Sequence, residues 1–146
     1  MSVLIIYRGE TQVDLDPSSE VTYLYRIGSG NVTGRNCIDL NDSDTLNRIA
    51  ISIRDSYVEW IYSLNDTFVK KNLVEKSLSL FFLTDLSHKR NELFDTYESI
   101  VTAILLKQKL EGVKLERVEL INLDKAFAET ISSVFPSSRI VNRKRK

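Results

Sequence analysis

Three short runs of this chain are apolar with almost no interruption: Val3-Leu4-Ile5-Ile6-Tyr7, Leu78-Ser79-Leu80-Phe81-Phe82-Leu83 and Val118-Glu119-Leu120-Ile121-Asn122-Leu123. A strand with one face in water alternates apolar and polar residues. A run with apolar neighbours at successive positions needs cover on both faces. Parallel sheets supply that cover, because each parallel connection carries a crossover, usually a helix. This feature restricts the chain to an α/β arrangement more sharply than any other.

The stretches between the runs supply the helices. Leu46, Ile49, Ala50, Ile53, Tyr57, Trp60, Ile61 and Leu64 recur at spacings of three and four, which predicts an amphipathic helix over 44–64. Asn41 to Asp44 offer N-cap oxygens ahead of it. Asn65-Asp66-Thr67 reads as a break, with a further short helix over 68–76. A second strong helix is predicted over 91–110, stopped near Gly112, and a third over 125–135, stopped by Pro136. Val21 to Ile27 places Val21, Tyr23, Tyr25 and Ile27 on one side and Thr22, Leu24 and Arg26 on the other, a strand with two fairly apolar faces. Cys37 to Leu40 and Arg139 to Val141 read as short strands. The later half alternates strand and helix strictly. Right-handed crossovers then give a three-layer, Rossmann-like domain, with a mostly parallel sheet and helices on both faces. It is expected to span 1–142 as one domain, with 143–146 as a basic tail. The runs at 3–7, 78–83 and 118–123 are expected to be neighbours in that sheet.

Composition narrows the function classes. Twenty Lys plus Arg balance twenty Asp plus Glu, so net charge gives no argument for nucleic acid. One cysteine and one histidine leave no parts for a disulfide or a His-based zinc site. Neither a signal peptide nor a transmembrane segment is legible, so the expected location is cytoplasmic. Gly28-Ser29-Gly30-Asn31-Val32-Thr33-Gly34 imitates a phosphate loop, but a dinucleotide loop opens into a helix, and here the chain reads as extended. No Gly-Lys-Ser/Thr follows. No cofactor and no metal are therefore expected.

In an open parallel sheet, ligands bind beyond the carboxyl ends of the strands. That rule singles out Arg8, Asp124 and the loop Thr84 to Arg90. The loop holds Asp85, Ser87, the lone His88, Lys89 and Arg90, and it feeds a helix N-terminus, where N–H groups favour an anion. Its residues equally suit a simple helix cap. Tyr57 and Trp60 lie on the apolar stripe of their helix and are expected in the core, whereas Tyr62 points to the surface.

The stretch Ser77 to Arg90, followed by Phe94-Asp95-Thr96-Tyr97, resembles a segment of bacterial surface-carbohydrate biosynthesis proteins: an apolar strand, a Ser-x-Lys-Arg-like loop, then a helix. Trp60 ahead of it also fits, and the resemblance covers about residues 55–125. It implies the N-terminal, Rossmann-like half of a glycosyltransferase with two facing domains (the GT-B arrangement). That half faces the acceptor, while the C-terminal half holds the nucleotide-sugar. The resemblance implies Asp85 and His88 as candidates for the acceptor-side catalytic base, and Lys89 and Arg90 as anion contacts. A donor half is missing from these 146 residues, so the isolated chain is expected not to turn over a nucleotide-sugar. The implied ligand is a carbohydrate or sugar phosphate, and the implied partner a second domain or protein. The competing expectation is a non-enzymatic docking or regulatory module, which would show an exposed apolar patch.

Overall fold

In the computed structural model, which describes residues 2–9, 21–28, 37–71, 74–75, 78–79 and 90–143, the first apolar run forms β1 (Ser2–Arg8). Its five central side chains, Val3 to Tyr7, are all buried. Successive residues of a strand point to opposite faces, so both faces of β1 are covered. Each such aliphatic side chain contributes roughly 1.5–3 kcal/mol by leaving water. β1 is thus the spine of the sheet.

Alongside it lie β2 (Val21–Ile27), β3 (Cys37–Asp39), β6 (Arg117–Ile121) and β7 (Arg139–Arg143), in the order β3-β2-β1-β6-β7, every pair parallel. The fold is α/β and Rossmann-like. The sheet grows from β1 outward to β3, then restarts on the other side of β1. The reversal between β1 and β6 is the topological switch point of this class. Register places Tyr7 beside Arg26 and Ile121, Leu24 beside Asp39, and Ile121 beside Arg143.

The β6–β7 connection contains α3 (Lys125–Val134). The Asp124 carboxylate caps it, accepting the Phe127 N–H at 2.7 Å. Phe127 and Ile131 are its buried residues. The helix closes where the Phe135 N–H reaches the Ile131 carbonyl at 2.9 Å, one residue before Pro136. Arg143, read from sequence as the start of a tail, is the last residue of β7.

By compactness the chain divides into two units, Met1–Ser43 with Leu105–Lys146, and Asp44–Ile104. The second contains most of α1 (Ser43–Lys70) and of α2 (Arg90–Lys109). Asn65-Asp66-Thr67 does not break α1, which runs on for 28 residues. The Thr67 hydroxyl donates to the Ser63 carbonyl at 3.0 Å and the Ser63 hydroxyl to the Trp60 carbonyl at 2.6 Å. Short polar side chains turned onto their own helix no longer compete for the backbone.

The expected helix over 68–76 ends at Lys70. Val74–Glu75 is instead β4, paired antiparallel with β5 (Leu78–Ser79) in a separate two-stranded sheet. The run at 78–83 therefore does not join the parallel sheet through its first two residues; residues 80–83 lie outside the described ones. The two segments are two residues apart, which suits a hairpin and is far too short for a parallel crossover. Trp60 is also corrected, being 47% exposed. Its ring tilts against Tyr57 at 5.6 Å, and Tyr57 in turn meets Tyr97 at 5.0 Å. The Tyr97 hydroxyl donates to the Ala50 carbonyl. The indole sits at the rim of the inner stripe, where so large a ring keeps one side in water.

Candidate functional site

The carboxyl edge of the sheet gathers the ends of β1, β2, β3 and β6. β1 leaves through Gly9 at φ +88°, a conformation only glycine adopts without strain. β6 leaves through Asn122 at φ +58°, a residue type that tolerates the left-handed region. The Asn122 N–H donates to the Arg143 carbonyl at 3.1 Å, so this exit stays fastened to β7.

Arg8 and Asp124 sit at the ends of the neighbouring strands β1 and β6, one on each side of the switch point. Arg8 is half-buried, and one oxygen of Asp124 is committed to the α3 cap. Arg90 is the first residue of α2. Asp85, Ser87, His88 and Lys89 lie outside the described residues.

A second set of residues, not singled out as a site from the sequence, lies on one face behind the same edge. Tyr7 and Arg26 are register partners at the edge, Asp39 lies one step further back beside Leu24, and Cys37 further back still beside Thr22. Tyr7 is only 2% exposed, and its hydroxyl, beside the Arg26 guanidinium, donates to no acceptor among the described residues. Burial pushes its phenol pKa up; the Arg26 guanidinium beside it opposes that rise, and Asp39 and Cys37 reinforce it. The Arg26 Nε–H donates to the Gly28 carbonyl at 3.0 Å, which pins the guanidinium over the end of β2. Asp39 is held as firmly. Its Oδ1 accepts the Asn41 backbone N–H at 2.9 Å and the Asn41 side-chain amide at 2.7 Å.

This set can do specific chemistry. A buried O–H beside a planar cation offers converging donors to a carboxylate or phosphate. The Asp39 carboxylate, on the next strand out, can accept from a hydroxyl. The combination suits a small polyol bearing an anion. Only part of it was legible. Alternation in Val21 to Ile27 already placed Arg26 opposite the tyrosines of its own strand, but its neighbour depends on strand register, which one sequence does not encode locally. Among the described residues, no three His, Cys, Asp or Glu side chains converge as a metal site would require.

The same face carries a second polar group, near the β7 edge. Glu119 is buried, with the Arg117 Nε at 3.0 Å and an Arg143 Nη at 3.6 Å.

No known protein family matches the chain, and no curated protein or solved structure matches it. Among the described residues, no helix is long and apolar enough to cross a membrane.

Proposed function

We propose that the chain is a Rossmann-like ligand-binding domain of a glycosyltransferase-like protein of surface-carbohydrate biosynthesis. It serves the acceptor side and is not catalytic alone. The observation that supports this reading is the Tyr7 hydroxyl, buried at the carboxyl edge without an acceptor and next to Arg26. A buried donor left unpaired costs about 1–3 kcal/mol. A ligand anion that displaced the groups now covering it would satisfy it, and a sugar phosphate also presents hydroxyls to the exposed Asp39. The anion sets the orientation, while the sugar would project along the edge toward Arg8 and Asp124.

Titration of the purified chain with glucose 1-phosphate, followed by amide NMR, tests the reading. Residues 7–9, 26–28 and 39–41 should shift, with a dissociation constant of about 1 mM, equivalent to roughly 4 kcal/mol. Raising salt should weaken binding, and glucose without phosphate should leave those amides in place. Unmoved amides, or equal shifts with glucose, would refute the site. Incubation with sugar nucleotides and acceptors should release no nucleotide; sustained acceptor-dependent release would make the chain an enzyme by itself.

A further inference from the structure

Arg26 and Asp39 carry opposite charges on neighbouring strands of one face, and they are not joined. Asp39 is the register partner of Leu24, so Arg26 lies two residues further along β2. With strands about 4.8 Å apart and a rise of about 3.3 Å per residue, their Cα atoms stand about 8 Å apart. An arginine is long enough to fold back over that span. Here each charge is held by a different neighbour instead. The Arg26 Nε–H donates to the Gly28 carbonyl at 3.0 Å, which draws the guanidinium toward the end of its own strand. Asp39 Oδ1 accepts both the backbone N–H and the side-chain amide of Asn41. Asn41 also sets the spacing, since its Oδ1 accepts the Arg26 backbone N–H at 3.4 Å. Among the described residues no ion pair links Arg26 to Asp39, although Glu119 on the same face does close on two arginines.

Both charges act on the buried Tyr7 hydroxyl, so cation, carboxylate and donor share one small region. Two opposite charges tethered apart in advance favour a ligand that carries the complementary pair, because little ordering remains to be done on binding. A sugar phosphate without an amine uses the cation and leaves its phosphate near an uncompensated carboxylate. Such a like-charge juxtaposition lowers affinity. An ammonium on the same ligand removes that repulsion. It also gives the exposed Asp39 carboxylate a charged donor, and charge-assisted hydrogen bonds are roughly twice as strong as neutral ones.

We propose that the ligand of this site is a zwitterion, an amino sugar phosphate, with its phosphate on Arg26 and Tyr7 and its ammonium on Asp39. The proposal rests on the anion site described under the proposed function and narrows its ligand class.

Amide NMR titration of the purified chain compares glucosamine 1-phosphate with glucose 1-phosphate and N-acetylglucosamine 1-phosphate. It is run at about pH 6, where the amine is charged and a carboxylate ionised. Glucosamine 1-phosphate should bind at least about fivefold more tightly than the other two. Asp39→Asn keeps an acceptor for Asn41 and removes the charge. It should bring glucosamine 1-phosphate down to the affinity of glucose 1-phosphate, whose own binding stays the same or tightens, with circular dichroism unchanged. Arg26→Gln should weaken all three ligands. Equal affinities for the native chain, with the amides of residues 26–28 and 39–41 shifting for every ligand, would overturn the amino-sugar inference and leave the anion site standing. A preference that survives Asp39→Asn would overturn it too. If none of the three ligands moves those amides, the anion site itself fails, and the inference with it.

Discussion

Glu119 and Tyr7 are both buried on the same face of the sheet, and the protein treats them oppositely. Glu119 is enclosed by its own chain, with Arg117 on one carboxylate oxygen and Arg143 on the other. Tyr7 keeps its hydroxyl unmatched. A buried charge is tolerable only when paired, so the β6–β7 side reads as finished structure. The β1–β2–β3 side has hydrogen-bonding capacity left over, and in a native fold such a group asks for a reason. Burial alone does not mark a site; burial with an unused donor does.

The sharpest way to break this contrast is Glu119→Ala. It strands Arg117, whose side chain is 23% exposed, and Arg143, at 60%. Removing one partner of a buried pair costs about 3–5 kcal/mol, and the low end, about 3 kcal/mol, is expected because both arginines can turn toward water. Urea unfolding should show that loss, while glucose 1-phosphate binding persists. Stability unchanged within about 0.5 kcal/mol, the range of an ordinary surface site, would show that the triad holds nothing together. Asp124→Ala should cost about 1 kcal/mol through the lost cap, read from the same unfolding curves; Asp124→Asn should recover most of it.

Tyr7→Phe sharpens the comparison from the other side. It removes an unpaired hydroxyl, so the ligand-free chain should become more stable by up to about 1 kcal/mol, while glucose 1-phosphate binding weakens. A destabilised variant would mean that the hydroxyl is already satisfied. Its pH behaviour carries a further check. The folded phenol pKa lies above the ordinary value of 10.0, so the folded chain keeps its proton where the unfolded chain has lost it. The stabilisation is full below pH 10 and is lost as pH rises through the folded pKa. Tyr7→Phe should flatten part of that alkaline decline, and Tyr57, whose pKa burial also raises, should supply another part. The smallest effect belongs to Lys109→Ala. Its 2.6 Å pair with Asp42 is partly exposed, and about 0.5 kcal/mol or less should be lost, detectable as a shift in urea midpoint that high salt removes.

Much of the sheet was legible because burial on two faces leaves a local signature. Val3 to Tyr7 and Val118 to Ile121 announce themselves by composition, and Pro136 and Gly112 mark helix ends without reference to anything distant. Leu78-Ser79 shows where that signature fails. An apolar run states that it must be covered, not by which strand, and a neighbour two residues upstream claimed it. The expected break at Asn65-Asp66-Thr67 failed for a related reason: a polar side chain ends a helix only when it competes for the backbone, and Thr67 instead donates its hydroxyl to the preceding Ser63 carbonyl. The cluster at Tyr7, Arg26 and Asp39 was the least visible. Its members are 13 to 32 residues apart, and parallel pairing alone brings them together.

The flanks of the sheet carry a consequence of another kind. Among the described strands, β3 and β7 are the outermost, and an outermost strand offers unpaired backbone groups to any passing chain. β3 is three residues long and includes the exposed Asp39; β7 begins and ends with exposed arginines, Arg139 and Arg143. Shortness and charge are the usual deterrents to intermolecular strand addition. The exposed Arg139 side chain is therefore expected to deter such pairing, and its replacement by valine should show first as turbidity in concentrated stocks.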